Sequence, residues 1–253
     1  MSNSENHLLS FTLHLADSSL IMGHRLSEWA AHGPTLEQDI AISNIALDLI
    51  GQSRNFYQYA AQLSGDRFTE DSLAYLRDDK DFKNLLIAEL PNNDWAHTIL
   101  KIYFFSSYQS LLYERLLHSD DKQLAAVAEK SLKEVTYHIR WSSEWVLRMG
   151  DGTEESRKRI SKALLELYPF TSEMFVMTDY ETTILSPIPS FDIIEMKNDW
   201  MENITEILEE ATLSIPSETT VDYEGKMGKH TEYLTSILEE MQELQRAFPG
   251  CEW

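Results

Sequence analysis

Residues 35–65, TLEQDIAISNIALDLIGQSRNFYQYAAQLSG, decide the fold. Apolar residues recur at helical spacing through Ile42, Ile45, Leu49 and Phe56, with polar residues between them. Pro34 and the capping-box pattern Thr35-x-x-Gln38 mark a helix start, and Ser64-Gly65 marks its stop. One uninterrupted helix is therefore predicted over about 35–64. At 1.5 Å per residue it spans roughly 45 Å. A helix of that length is the stave of a long bundle.

Working outward, the same patterning predicts helices near 8–31, about 94–118 and about 122–149. The third follows PNND (91–94), where Asn93 or Asp94 can cap. The fourth ends at GDG, with Gly150 available for the left-handed position after a helix. Between the second and third lies EDSLAYLRDDKDFKNLLIAEL (70–90), which reads as one or two shorter helices. Beyond Gly152 a helix over about 154–179 contains Pro169, which should kink it. SPIPS (186–190) is a loop, a helix follows over about 192–213, IPSETTVDYEGKMGK (215–229) is irregular, and a last helix covers about 230–247. No alternation of the strand type appears. Two long helices, a connector and two more long helices define an all-α fold, a ferritin-like four-helix bundle with one long crossover. The expectation is a single domain over 1–253, its core bundle at about 8–150 and appended helices at about 154–248.

The charge balance narrows function. Lys plus Arg is 21 and Asp plus Glu is 42, a formal net charge of −21. Nucleic acids and anionic membranes attract clustered cations, so neither is an expected partner. No apolar run approaches the roughly 18 residues of a membrane span. The first residues, MSNSENHLLSF, lack a basic n-region, so a cytoplasmic location is expected. The single cysteine, Cys251, excludes an internal disulfide framework.

A di-iron carboxylate bundle takes one acidic residue from each of two helices and Glu-x-x-His from each of the other two. The i, i+3 spacing sets both ligands on one helix face, and hard carboxylate oxygens balance the iron charge. Here the second helix offers Leu49 and Gln52, and the fourth offers Val135 and His138. The first helix supplies Glu28, and the third has Ser106 near the position where a carboxylate is needed. Asp48 and Glu134 each precede a missing ligand by one residue, a rotation of roughly 100°. Two readings of them stay open: a shifted metal site with Glu28 and His138, or ion pairing with Arg54, Lys133 and neighbouring helices. His24 and Glu28, spaced i, i+4, can pair with each other. No His-Glu-x-x-His motif, phosphate loop or ordered nucleophilic triad occurs. Trp29, Trp95, Trp141, Trp145 and Trp200 read as core or interface anchors.

Four segments, HRLSEWAAHGPTLEQDIAISNIALDLIGQSRNFYQYAAQL (24–63), LAYLRDDKDFKNLLIAELPNNDWAHTI (73–99), LAAVAEKSLKEVTYHIRWSSEWVLRMGDGTEES (124–156) and HTEYLTSILEEMQELQRAFPGCEW (230–253), carry a specific likeness. In that order and length they resemble the non-catalytic C subunits of bacterial phenylacetyl-CoA ring 1,2-epoxidase (phenylacetyl-CoA oxygenase) complexes. The related catalytic A subunits carry DEAGH and ESFH where this chain reads DLIGQ (48–52) and VTYH (135–138). The resemblance implies that Leu49, Gln52 and Val135 replace two Glu ligands and a His. Glu28 and His138 then remain as relics of a lost di-iron site, with Ser106 where a carboxylate is missing. It implies no catalytic residue, no metal and no cofactor in this chain, with iron held by the catalytic A-type partner. The reductase component then supplies electrons to that partner, and this chain meets it only indirectly. The isolated chain is expected to self-associate as a homodimer.

Coenzyme A is polyanionic, and a chain at −21 can touch it only through a local basic patch. ESRKRISK (155–162) and GKMGKH (225–230) are the densest candidates; the alternative is that their cations pair with the surplus acids. Two other classes stay open: a self-sufficient metal oxidase built on Glu28, Asp48, Glu134 and His138, and a helical interaction protein unrelated to oxygenation.

Overall fold

The computed structural model describes residues 3–65, 67–189, 191–217 and 224–251. It is 76% helical with no strand among the described residues, which makes the class all-α. The helices are α1 (Asn3–Ser27), α2 (Leu36–Leu63), α3 (Glu70–Tyr75), α4 (Leu86–Glu89), α5 (Trp95–Leu116), α6 (Lys122–Gly150), α7 (Glu154–Leu167), α8 (Asp179–Leu185), α9 (Ile193–Glu210) and α10 (Glu232–Ala247). Four of them are long and form two antiparallel pairs, α1 with α2 and α5 with α6. Each pair is closed by a short link. This succession of pair, connector and pair is the chain order of a ferritin-like bundle.

The chain divides into two compact units. The first comprises Met1–Pro91, Thr178–Ile184 and Tyr223–Trp253; the second comprises Asn92–Met177 and Leu185–Asp222. The C-terminal helices are shared out accordingly. In the first unit α10 packs on α3 and α4; in the second, α7 and α9 pack on α5 and α6.

Within the first unit, α1 is buried almost all round from Phe11 to Gly23 although it carries Thr12, His14, Asp17, Ser18 and Ser19. Such a helix is tolerated only where each buried polar group finds a partner. The non-helical run after α3 supplies several. Lys83 N–H donates to Asp17 Oδ2 (2.8 Å), Leu85 N–H donates to Ser18 Oγ (3.1 Å), and His14 Nδ1 pairs with the Lys83 carbonyl (2.7 Å). Side chains of α1 thus satisfy backbone that no helix or sheet serves.

In the second unit, α5 is likewise buried from Ala96 to Gln109. Trp95 meets Trp141 and Trp145 edge-on at centroid distances of 5.8 and 5.5 Å, and Trp200 Nε1–H donates to the Phe104 carbonyl (3.2 Å). These four tryptophans are core and inter-helix anchors, in line with the sequence expectation.

Several boundaries differ from the sequence expectation, each for a local reason. The first helix ends at Ser27 rather than near 31, and its start reaches back to Asn3. Thr35 is the N-cap of α2, but its side chain makes no cap hydrogen bond, so the Thr35–Gln38 capping box does not form. A full capping box instead joins Thr69 and Ser72 at α3. Pro169 stops α7 at Leu167, and the chain continues as a tighter 3-10 turn over Tyr168–Phe175. Part of the irregular 215–229 run lies outside the described residues; a 3-10 turn at Gly225–Met227 lies near its end.

Gly150 is the last residue of α6 and not a left-handed cap. A Cβ there would stand 2.2 Å from the Ala211 carbonyl oxygen and 2.8 Å from Ala211 Cβ. Gly150→Ala is expected to lower stability by about 1–3 kcal/mol, because overpacking outweighs the helix-propensity gain. Urea denaturation checks this; an unchanged or raised midpoint would show that the α6–Ala211 contact yields freely.

Candidate functional site

In the first unit, Leu49 and Gln52 both sit on the buried face of α2, 2% and 1% exposed. Asp48, one position away, is half-buried. The register of α1 on α2 follows from Gly23, whose missing Cβ would lie 3.0 Å from Ile50 Cγ1 and 3.2 Å from the Ala46 carbonyl. In an antiparallel pair this sets Ser19 to Met22 level with Gln52 to Leu49. Glu28 lies beyond the last turn of α1, roughly 9 Å further along the axis. It is exposed and accepts a hydrogen bond from Arg25 Nη1 (2.6 Å). Glu28 therefore stands off the level of Leu49 and Gln52, where α1 carries buried Ser19 and Met22. The buried acid of α1 nearest that level is Asp17, which is tied to Arg77 and Tyr57.

In the second unit, Ser106, Val135 and His138 are all buried. The Trp95 contacts set the α5–α6 register, and Ser106 falls within about one turn of Val135. Glu134 is half-buried, one position off the inward face. The stretch of α5 from Trp95 to Tyr113 contains no acid. It contains instead Lys101, fully buried, whose Nζ donates to Asn92 Oδ1 (2.9 Å). A lysine on a helix that would have to supply a carboxylate gives a metal no anionic oxygen. Its sequence signal is a sole lysine in an apolar and aromatic run, which spacing rules for ligands overlook.

Among the described residues, no group of three or more His, Cys, Asp or Glu side chains stands where it could hold a metal ion. Glu28 and Asp48 belong to the first unit, Glu134 and His138 to the second. No helix among the described residues is long and apolar enough to cross a membrane.

The basic stretches are largely tied to acids or backbone. Arg159 pairs with Glu155 (2.7 Å), Lys162 with Glu166 (3.7 Å), and Arg157 donates to the Thr212 carbonyl (2.9 Å). In the other stretch Lys226 is buried against Glu181 (2.7 Å), and Lys229 pairs with Glu224.

The polar chemistry that spacing rules miss is a set of buried acid–base pairs in the first unit. Asp17 is held by Arg77 and Tyr57, Glu181 by Lys226, and Glu89 by His230 and Asn84. The second unit has a related clamp, in which His97 bridges Asp94 (2.6 Å) and Glu166 (2.8 Å). Most of these pairs join segments far apart in sequence, so no local spacing announces them.

His14 and His230 respond oppositely to their surroundings. Burial lowers the His14 pKa below 6.5, with Glu181 opposing and Lys226 reinforcing that shift. Burial also pulls His230 down, but the hydrogen bond and charge of Glu89 outweigh it and the pKa is raised. A raised folded pKa contributes stability that is fully present below 6.5 and fades as pH rises through the folded value. His230→Gln should accordingly cost most near pH about 5.5–6 and progressively less toward about 9. Urea melts across that range test it, and a deficit that grows with pH would reverse the assignment.

With fold and site in view, the class of protein is defined. The whole chain, residues 1–253, matches the family of phenylacetic acid catabolic proteins, and it belongs to that family. It is 42% identical over 248 residues to the C subunit of the 1,2-phenylacetyl-CoA epoxidase of Escherichia coli (strain K12), an alignment covering 98% of this chain and 100% of that protein. The likeness carried by the four sequence segments is to the same kind of subunit.

Proposed function

We propose that this chain is the structural, non-catalytic subunit of a multicomponent di-iron monooxygenase that epoxidises phenylacetyl-CoA in aerobic phenylacetate catabolism. The observation that carries the reading is the end-to-end likeness to an epoxidase C subunit. In this reading the chain works as a single ferritin-like domain and supports a catalytic partner that holds the iron. A reductase component feeds electrons to that partner, and the isolated chain forms a homodimer in the cytoplasm.

The side chains at the degenerate positions support it. Leu49 and Val135 are apolar and buried, and Gln52 is neutral. A buried lysine, Lys101, occupies the helix from which an acid would come. Such a set cannot balance two ferrous ions in a buried site, so the residues present do not fit the group. Filling those positions with apolar side chains also removes the cost of burying unpaired carboxylates. A bundle that has lost its metal still retains its surface for a twin bundle, and obligate interfaces commonly bury more than about 2,000 Å².

The test is co-expression with the di-iron subunit and reductase, measuring NADPH-dependent epoxidation of phenylacetyl-CoA with and without this chain. Turnover should depend on the chain. His138→Ala should lower stability by about 1–3 kcal/mol through the cavity left by a fully buried imidazole, while turnover of the assembled complex persists. Loss of turnover with assembly intact would contradict a purely structural role for His138.

A further inference from the structure

The outer face of α2 carries Leu36, Ile40 and Leu47, which are 71%, 52% and 65% exposed. With exposed Asn44 and Gly51 they follow the spacing i, i+4, i+8, i+11, i+15, a single stripe roughly 22 Å long. Scattered apolar side chains on a surface need no explanation, but a stripe in register along one helix face does.

Gly51 is the second observation. A glycine inside a helix costs about 0.5–1 kcal/mol relative to alanine. Here a Cβ would meet nothing within 4 Å, so no contact inside the chain requires the glycine. A small residue at the end of an exposed apolar stripe lets another backbone approach closely.

Charge selects the occupant. From Leu36 to Ser53, α2 carries Glu37, Asp39 and Asp48 and no cation, and Arg54, one turn beyond Gly51, is paired with Glu70 (3.2 Å). A second copy docking stripe to stripe would set acid against acid, which costs free energy rather than supplying it. A foreign helix with an apolar stripe bordered by lysine or arginine meets both features.

We infer that the Leu36–Gly51 face of α2 is the docking surface for a helix of the catalytic subunit, apolar along one stripe and flanked by basic side chains. This rests on the reading of the chain as a component of the epoxidase complex. The stripe side chains are anchors, the acids set orientation and association rate, and Gly51 fixes the closest approach.

The experiment is co-purification with the co-expressed catalytic subunit, using full-length wild type, Leu36→Asp/Leu47→Asp, Glu37→Lys and Gly51→Leu. Because every substituted position is exposed, each variant should keep the thermal midpoint of the wild type within a few degrees, and circular dichroism checks this. The expected result is capture by wild type, at least tenfold weaker association for the double aspartate variant, and smaller losses for Glu37→Lys and Gly51→Leu. Capture of all variants at wild-type strength overturns the inference while leaving the proposed function standing. No capture even of wild type overturns the proposed function and this inference with it. A wild-type homodimer that the double variant converts to monomer, with capture unchanged, assigns the stripe to a second copy and also overturns the inference.

Discussion

Asp17→Ala is expected to lower stability by about 3–5 kcal/mol, the usual loss when one partner of a buried ion pair is removed. Asp17 is fully buried in α1. Its carboxylate accepts from the Tyr57 hydroxyl (2.5 Å), from Arg77 Nη1 (3.1 Å) and Nη2, and from the Lys83 backbone N–H (2.8 Å). Arg77 in turn lies over the Phe82 ring at 4.2 Å and donates to the Asp81 carbonyl (3.0 Å). Removing the carboxylate strands a guanidinium that cannot shed its proton, together with a buried hydroxyl. Burial and the neighbouring Asp17 charge hold the Tyr57 hydroxyl well above the usual tyrosine range, so it stays a donor.

The cost is chiefly that of the stranded partner, not the net worth of the pair. Replacing both residues, Asp17→Leu with Arg77→Met, should therefore destabilise less than Asp17→Ala alone. Urea unfolding of the two variants at constant m-value decides the point. A loss below about 1 kcal/mol for Asp17→Ala would mean that solvent reaches the network.

The second large effect concerns the vanished ligands. Leu49→Glu and Val135→Glu should each destabilise the metal-free chain by roughly 3–5 kcal/mol, because each buries an uncompensated carboxyl. Leu49 is 2% exposed and Val135 is 0% exposed. Burial raises the pKa of such a carboxyl above its unfolded value of about 4.3. The folded state then binds the extra proton, so the deficit is small at low pH and grows as pH rises toward the folded pKa. Adding Gln52→His to both should not restore the midpoint in the absence of metal. Calorimetric melts of the triple variant from about pH 5 to 8 test this, and an unchanged melting temperature would count against a cavity converted into packing.

Sequence reached far for some elements and stopped short for others. The limits of α2 and α6 were legible because long apolar periodicity runs up to breaks at Pro34, Ser64-Gly65 and the GDG run, although neither the Thr35–Gln38 box nor a left-handed Gly150 forms. The split after α7 was half legible: Pro169 announces a break, but not the 3-10 turn that follows. The positions of Leu49, Gln52, Val135 and His138 on inward faces could be read from i, i+3 spacing alone, because a single helix face contains each pair. Glu28 could not be judged that way. Its level depends on how the Gly23 contact sets two antiparallel helices in register, and that is a tertiary fact.

The buried pairs were illegible for the same reason. Asp17 and Arg77 are 60 residues apart, and Glu89 and His230 are 141 apart. An acid in mid-helix reads as a solvated face until a distant partner is known to arrive. Lys226 shows the converse case. Its place in a basic stretch left open a contact for a polyanion or pairing with a surplus acid, and its side chain is buried against Glu181.

The measurement that bears most directly on the loss of the metal site is iron bound per chain, after the purified protein is loaded anaerobically with ferrous iron and desalted. The expected value is near zero, because Leu49, Gln52 and Val135 offer no anionic ligand and α5 carries no acid from Trp95 to Tyr113. A stoichiometry near one or two would contradict it: a metal would then be held by residues assigned above to packing, and the chain would have to be treated as an enzyme.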